Sequence, residues 1–227
     1  MQIIKSSNQE DGINDLSSRL NNYLEEGKKV LWLISGGSNI NAASEIMRRV
    51  PENHSDQLII SLIDERYGDP GHQDSNFQQL LIAGFDKKRA RLVPVLSNGL
   101  SLEETASKFE DFLADTINNV DISIGLLGIG EDCHIAGILP NSNAATENES
   151  LVAAYDGGLY KRITTTFQLI EKLGICYAFA FGDNKNQALQ ELIEGKHSTV
   201  EKPAVILREL KEAYLYSDQV GETRDGK

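Results

Sequence analysis

The segment 128–134 (GIGEDCH) places a histidine and a carboxylate at the end of a predicted strand. An imidazole changes its protonation state near neutral pH, so His134, two residues from Asp132, is the best general-base candidate in the chain. Neighbouring side chains generally diverge, which argues against a thiolate dyad of Cys133 with His134. No second ligand cluster stands at zinc-binding spacing, and the early Pro140 leaves little room for the helix of a dinucleotide-binding fingerprint. We therefore expect acid–base chemistry with neither metal nor cofactor.

A glycine-containing turn offers a second candidate site. Ser35, Gly36, Gly37 and Ser38 directly follow the apolar run 30–34 (VLWLI) and directly precede a predicted helix. Glycine lets the backbone approach a ligand closely, and free N–H groups at a helix start attract an anion. The turn is therefore either a phosphate or carboxylate cradle or simply a tight strand–helix connection, and its local sequence favours neither.

A charged triplet, Asp64 to Arg66 (DER), follows another apolar run, 58–63 (LIISLI). Charges at the carboxyl end of a buried strand have few structural uses, which favours a ligand site. The alternative is a solvated turn with an internal Asp–Arg pair, in which Ser75 caps the next helix and His72 is an exposed loop histidine.

Two cations also stand at the ends of predicted elements. Arg162 opens the strand RITTTF, and Lys185 follows the apolar run 176–181 (CYAFAF). Both could converge on an anion, although solvated surface charge is the commoner role of a single lysine. The chain has 22 basic and 34 acidic residues and a net charge of −12, so an anionic ligand needs a local cationic pocket.

The hydrophobic pattern predicts the elements that position these residues. Short apolar runs indicate strands buried on both faces, and residues repeating every three or four positions indicate helices. Strands alternating with helices predict an α/β fold, a three-layer sandwich with a mostly parallel, Rossmann-like sheet, as one domain over residues 1–227. Ligands of such sheets bind beyond the carboxyl ends of the strands. The predicted strands are 30–34, 58–63, 91–96, 121–127 and 176–181, the predicted helices are 13–24, 38–49, 101–118 and 184–194, and 140–160 is predicted to be a long loop.

Composition narrows the functional classes. The 227 residues are 40% hydrophobic and 25% charged, which is typical of globular proteins. The sequence pI of about 4.8 argues against nucleic acid and anionic membranes as partners. No apolar run is long enough to span a bilayer, and the start of the sequence lacks a signal-peptide layout, so we expect a cytoplasmic protein. The two cysteines lie far apart and suggest no disulfide framework.

Together and in this order, the segments resemble the motifs of the 6-phosphogluconolactonase family and of the related glucosamine-6-phosphate deaminases. The resemblance extends over roughly residues 30–216, nearly the whole chain. The corresponding stretches are 35–38 (SGGS), 64–66 (DER) with His72 and Ser75-Asn76, 128–140 (GIGEDCHIAGILP), 162–166 (RITTT), 182–185 (GDNK) and 202–207 (KPAVIL).

The resemblance implies a site for a small-molecule sugar phosphate. It assigns the phosphate to the turn 35–38 together with Arg162 and Lys185. It makes His134 the general base that activates water against a lactone carbonyl, with Asp132 in support. It also implies that Arg66 pairs with the substrate or shapes the pocket floor, with Asp64 and His72 in the binding set. Such a hydrolase needs no cofactor, and we expect a monomer or a weak dimer.

Three departures from the family motifs bear on activity. Cys133 stands at a family glycine, where a side chain is expected to crowd the substrate or to conflict with a glycine-type backbone angle. Gly137 replaces a serine, and Asn39-Ile40 replaces Thr-Pro. Leu139 stands where the deaminases have a carboxylate, although Ile135 is deaminase-like. The motifs favour a lactonase over the two alternatives that stay open, which are a non-catalytic sugar-phosphate-binding protein and a deaminase-like activity.

Overall fold

The computed structural model describes residues 1–221. The strands are β1 (Gln2–Lys5), β2 (Val30–Ile34), β3 (Leu58–Leu62), β4 (Asp64–Arg66), β5 (Arg91–Val93), β6 (Ile122–Gly128), β7 (Val152–Asp156), β8 (Lys161–Thr165), β9 (Ile175–Phe179) and β10 (Ala213–Ser217). The α-helices are α1 (Glu10–Glu25), α2 (Asn39–Arg49), α3 (Asn76–Ile82), α4 (Leu102–Asn118), α5 (Asn143–Thr146), α6 (Phe167–Ile170) and α7 (Asn186–Glu194). Short 3-10 turns cover Glu52–Gln57, Asp183–Lys185 and Pro203–Arg208.

The main sheet has seven strands in the order β1-β10-β9-β6-β2-β3-β5, and every neighbouring pair is parallel. All five residues of β2 and all five of β9 are buried. Since successive side chains of a strand point to opposite faces, both faces of the sheet are covered. The predicted α/β fold with a mostly parallel sheet is confirmed.

The strand order explains how distant segments meet. The strands β6, β2 and β3 are neighbours, with Trp32 of β2 in register with Ile124 on one side and Ile60 on the other. Because the three strands run parallel, the residues that follow each of them lie along the same sheet edge. The glycine turn, the DER triplet and the 128–134 segment are those residues.

Local signals in the sequence set several helix ends correctly. Ser101 accepts a hydrogen bond from the Glu104 amide, and the Glu104 carboxylate accepts one from the Ser101 amide, so a capping box fixes the start of α4 close to the predicted residue 101. The helix α7 ends at Gly195, whose φ of +59° is the left-handed conformation that glycine adopts readily.

The long loop predicted over 140–160 is wrong. This stretch contains α5 and β7, and β7 pairs with β8, which pairs with β4, in a three-stranded antiparallel sheet. An apolar run, 151–155 (LVAAY), does mark the strand, but it is short and stands between the mostly polar stretch 141–150 and the Gly157-Gly158 turn. The DER triplet forms the short strand β4, so the alternative of a solvated turn does not apply, and the predicted strand 91–96 is shortened to β5.

No helix within the described residues 1–221 has both the length and the apolar character needed to cross a bilayer.

Candidate active site

A pocket of about 530 Å³ opens at the carboxyl edge of the main sheet. Its walls come from the segments that follow β2, β3 and β6, together with β8 and the turn before α7. It is lined by Ser35, Gly36, Gly37, Ser38, Asp64, Arg66, Asn76, Gly128, Ile129, Gly130, Glu131, Asp132, His134, Ala136, Leu139, Arg162 and Lys185.

His134 and Asp132 form a close pair at the pocket wall. His134 Nδ1 lies 2.6 Å from Asp132 Oδ1, and the His134 amide donates to the same oxygen at 3.1 Å. The hydrogen bond from His134 is the main reason that the pKa of Asp132 is lowered to about 2. With Nδ1–H donating to the carboxylate, the lone pair of the ring is on Nε2, as a general base requires.

Gly130 makes room for this pair. Its amide donates to the His134 carbonyl oxygen at 2.9 Å, and its carbonyl accepts from the Cys133 amide at 3.0 Å, which closes the loop tightly. A β-carbon on Gly130 would clash with the His134 ring and would lie 2.7 Å from Asp132 Oδ1. The position therefore requires glycine, because any side chain would displace the imidazole.

Cys133 does not line the pocket, contrary to the expectation that its side chain crowds the substrate. Its φ of +70° is the left-handed conformation expected of a glycine position, and the residue adopts it with a fully buried side chain. Cys133 Sγ lies 3.5 Å from the carbonyl oxygen of Ala188 in α7. Burial raises the pKa of the thiol to about 11, so the sulfur is a neutral packing group at neutral pH.

The glycine turn borders the pocket at the start of α2. Gly37 has a φ of +64°, and a β-carbon on Gly36 would collide with the Asn76 amide group, so both glycines meet a steric demand. Ser38 precedes α2 without a side-chain cap. The first amides of a helix have no partner within the helix, which leaves them available to an anion.

The antiparallel sheet brings the predicted cations together. Arg66 of β4 is in register with Arg162 of β8, and both line the pocket. Arg66 Nη1 donates to the carbonyl oxygen of Asp74 at 2.9 Å, and its guanidinium lies 5.0 Å from the ring centre of Tyr160. The side chain is thus held from two sides, with its orientation set before a ligand arrives.

Asp64 is a buried carboxyl beside these arginines. Burial raises its pKa, while Arg162, His134 and Arg66 oppose the shift. Asn76 Nδ2 donates to Asp64 Oδ2 at 3.3 Å and to the Asp64 carbonyl oxygen at 3.1 Å. Asn76 belongs to the Ser75-Asn76 motif but was not predicted to be a site residue. Its position after the DER triplet in that motif was the signal in the sequence that pointed to it.

Glu65 has a structural role and does not line the pocket. Its fully buried carboxylate accepts hydrogen bonds from the amides of Arg66, Asn76 and Phe77 and from the Ser75 hydroxyl, at 2.7–3.0 Å. These donors include the first amides of α3, which an acceptor must satisfy. Glu65 therefore fixes the start of α3 and with it the position of Asn76.

The small sheet also supports the pocket wall beyond His134. The Tyr155 hydroxyl of β7 donates to the Gly137 carbonyl oxygen at 2.5 Å and accepts from the Leu139 amide at 3.3 Å. The Gly137 amide donates to the Thr164 hydroxyl of β8 at 2.9 Å. These contacts hold Leu139 at the pocket in an otherwise irregular segment.

A family model with the description glucosamine-6-phosphate isomerases/6-phosphogluconolactonase matches residues 6–215. The chain belongs to this family. A 6-phosphogluconolactonase of Nostoc sp. is 26% identical over 187 residues, which are 77% of this chain and 76% of that protein. A glucosamine-6-phosphate deaminase of Streptococcus uberis is 25% identical over 223 residues, 92% of each chain. The crystal structure of a 6-phosphogluconolactonase from Thermotoga maritima has the same fold, with a TM-score of 0.80, 20% identity and coverage of 95% of this chain and 98% of that one.

Ten of the eleven site residues predicted from the sequence line the pocket, and His72 is the exception. Its Nε2 lies 3.0 Å from the carbonyl oxygen of Arg66, so the ring contacts the backbone behind that arginine. The geometry adds Asn76, Glu131 and Leu139 to the pocket. No group of three or more potential metal ligands occurs in the part of the chain that the structure describes.

Several polar atoms around the pocket are buried without a protein partner among the described residues. They are Ser35 Oγ, Asn76 Oδ1, Arg66 Nε and Arg162 Nε. These atoms are almost inaccessible to solvent, so they add polar character behind the pocket surface rather than contacts for a ligand. The pocket surface itself carries the cations Arg66, Arg162 and Lys185, which can bind an anionic group, beside the carboxyl groups of Asp64, Glu131 and Asp132.

Proposed function

We propose that the protein hydrolyses 6-phospho-D-glucono-1,5-lactone to 6-phospho-D-gluconate, a step of the oxidative pentose phosphate pathway. The observation that carries the proposal is the Asp132–His134 pair in a pocket that also holds Arg66, Arg162 and Lys185, in a chain whose relatives include proteins named 6-phosphogluconolactonase. A volume of about 530 Å³ suits a ligand of this size.

His134 acts as the general base in this proposal. Its Nε2 takes a proton from a water molecule while the water oxygen adds to the lactone carbonyl carbon, and the carbonyl oxygen becomes an oxyanion. The carbonyl then re-forms, the bond to the ring oxygen breaks, and the ring oxygen receives the proton from the imidazolium. The Asp132 carboxylate stabilises that imidazolium and keeps Nε2 directed at the substrate.

The other polar and charged groups of the pocket bind the substrate and stabilise the oxyanion in this proposal. The amides of the 35–38 turn, Arg162 and Lys185 hold the phosphate, because oriented N–H groups and cations bind a doubly charged anion strongly. Arg66 stabilises the oxyanion, since a guanidinium fixed in advance costs little reorganisation during the reaction. Asp64 and Asn76 bind sugar hydroxyl groups.

The binding-protein alternative loses its main argument, because Cys133 lies outside the pocket lining. The deaminase alternative is kept by the similarity to the Streptococcus uberis protein. Against it stands Leu139, an apolar side chain at the pocket wall where the deaminase motif has a carboxylate.

The test is hydrolysis of freshly prepared lactone, with 6-phosphogluconate measured by a coupled dehydrogenase and the spontaneous rate subtracted. We expect turnover of the phosphorylated lactone, with kcat/KM at least about 100-fold lower for unphosphorylated gluconolactone, which lacks the phosphate contacts. Ammonia release from glucosamine 6-phosphate without lactone turnover would favour the deaminase alternative. Tight 6-phosphogluconate binding without any turnover would favour the binding-protein alternative.

A further inference from the structure

Cys133 combines two features that the proposed chemistry leaves unexplained. It is a residue with a β-carbon at a φ of +70°, a conformation that such residues adopt rarely and at a cost. Its side chain is also completely buried, although Asp132 and His134 on either side of it reach the pocket. A strained and buried residue between two functional ones indicates a role in holding the loop in place.

The sulfur and the carbonyl group of Cys133 make contacts on the side away from the pocket. Its sulfur lies 3.5 Å from the Ala188 carbonyl oxygen of α7, and its own carbonyl accepts a hydrogen bond from the Ala204 amide at 2.9 Å. Ala204 belongs to the 3-10 turn Pro203–Arg208. Cys133 therefore joins the loop to two separate segments behind it.

The same region carries Lys185. Asn184 Nδ2, next to that lysine, donates to the Glu131 carboxylate at 2.7 Å, two residues before Cys133. The loop that bears the histidine and the segment that bears the lysine are thus connected twice, by this hydrogen bond at the surface and by the buried thiol below it. The exposed bond competes with water, whereas the buried contact does not.

We propose that Cys133 is a positioning residue. Its buried side chain packs the 130–134 loop against α7, so that the Asp132–His134 pair and Lys185 face the same pocket. The inference rests on the proposed lactonase function. Glycine at this position would relieve the backbone strain, but it would remove the contact with α7 and give the loop additional conformations.

The experiment compares Cys133→Gly, Cys133→Ala and Cys133→Ser with the wild type, and uses Cys176→Ala as the control. Cys176 is likewise buried but lies in β9, away from the pocket. We expect kcat of Cys133→Gly to fall about tenfold with KM changed less than about twofold, since a small displacement of a catalytic group affects the chemical step most. Cys133→Ser is expected to retain most of the activity, Cys133→Ala to be intermediate, and Cys176→Ala to lose thermal stability but not kcat.

The imidazole NMR signals of His134, assigned with a His134→Ala variant, provide a readout that does not need turnover. They should shift or broaden in Cys133→Gly and stay unchanged in Cys176→Ala. Wild-type kcat and unchanged His134 signals in both Cys133→Gly and Cys133→Ala would overturn the inference. If the wild type itself hydrolyses no lactone, the proposed function fails, and the His134 signals alone decide whether Cys133 positions the loop.

Discussion

Replacing Asp132 separates the two contributions that its carboxylate makes to His134, its charge and its hydrogen bond. Asp132→Asn removes the charge and leaves an oxygen that can accept from Nδ1, whereas Asp132→Ala removes both. If His134 is a general base, both variants should lower kcat, and the alanine variant should be the slower of the two.

The magnitude follows from the lowered pKa of Asp132. A fall from 3.8 to about 2, at about 1.4 kcal/mol per pKa unit, would be about 2.4 kcal/mol for a fully shielded pair. The Asp132 side chain is 51% exposed, and solvent screening reduces the interaction to about 1 kcal/mol. The imidazolium that forms in the transition state loses this stabilisation, so Asp132→Asn should lower kcat about fivefold. Loss of ring orientation should bring Asp132→Ala to about 15- to 50-fold.

The assay is initial-rate lactone hydrolysis, with Asp115→Asn on the exposed surface of α4 as the charge-matched control. Unchanged kcat in Asp132→Ala would refute the role of the pair. A loss of kcat in Asp132→Asn as large as that in His134→Ala would show that the negative charge of Asp132 contributes much more than about 1 kcal/mol to the transition state.

The same pKa shift predicts a pH dependence of stability. Because the pKa of Asp132 is lower in the folded state than its ordinary 3.8, its carboxylate stabilises the fold above about pH 4, and this contribution disappears as the pH falls through about 2. The difference in unfolding free energy between the wild type and Asp132→Asn should follow that course in urea titrations.

Two further substitutions test the scaffold of the site. Gly130→Ala should displace the His134 ring and lower kcat at least about 100-fold, while circular dichroism should show that the protein stays folded. Gly221→Ala is the control and should leave kcat unchanged, because there is open space around the Gly221 α-carbon. Normal kcat in Gly130→Ala would contradict the loop geometry. Glu65→Gln turns one acceptor into an amino group that faces buried donors, so the free energy of unfolding in urea should drop by about 2–4 kcal/mol. A loss no larger than that of the exposed Glu103→Gln would contradict the assigned role of Glu65.

The centre of the fold was predictable because its strands are buried on both faces. The run VLWLI of β2 and the run CYAFAF around β9 have no polar interruption, so length and composition alone indicate parallel strands. The rule that ligands bind beyond the carboxyl ends of such strands then located the pocket, because β2, β3 and β6 are neighbours.

The antiparallel sheet could not be predicted in the same way. The strand β7 is flanked by a polar stretch and by the Gly157-Gly158 turn, and its pairing with β8 and β4 depends on contacts between residues far apart in sequence. The side-by-side arrangement of Arg66 and Arg162 is a consequence of that pairing. Sequence identified both arginines as candidates but could not show that they are in register.

Side-chain direction was also beyond the sequence. The left-handed backbone at Cys133 turns its thiol away from the pocket, so the expected crowding does not occur. The ring of His72 also points away from the pocket, because its Nε2 lies within hydrogen-bond distance of the Arg66 carbonyl oxygen. Both outcomes depend on loop angles that no residue pattern specifies.

Hydrolysis of fresh 6-phosphogluconolactone by the wild type and by His134→Gln tests the central claim most directly, with His197→Gln on the exposed surface as the control. The proposed mechanism predicts wild-type turnover well above the spontaneous rate, a loss of about 10²- to 10⁴-fold in His134→Gln, and no change in His197→Gln. Turnover by His134→Gln at the wild-type rate would contradict it.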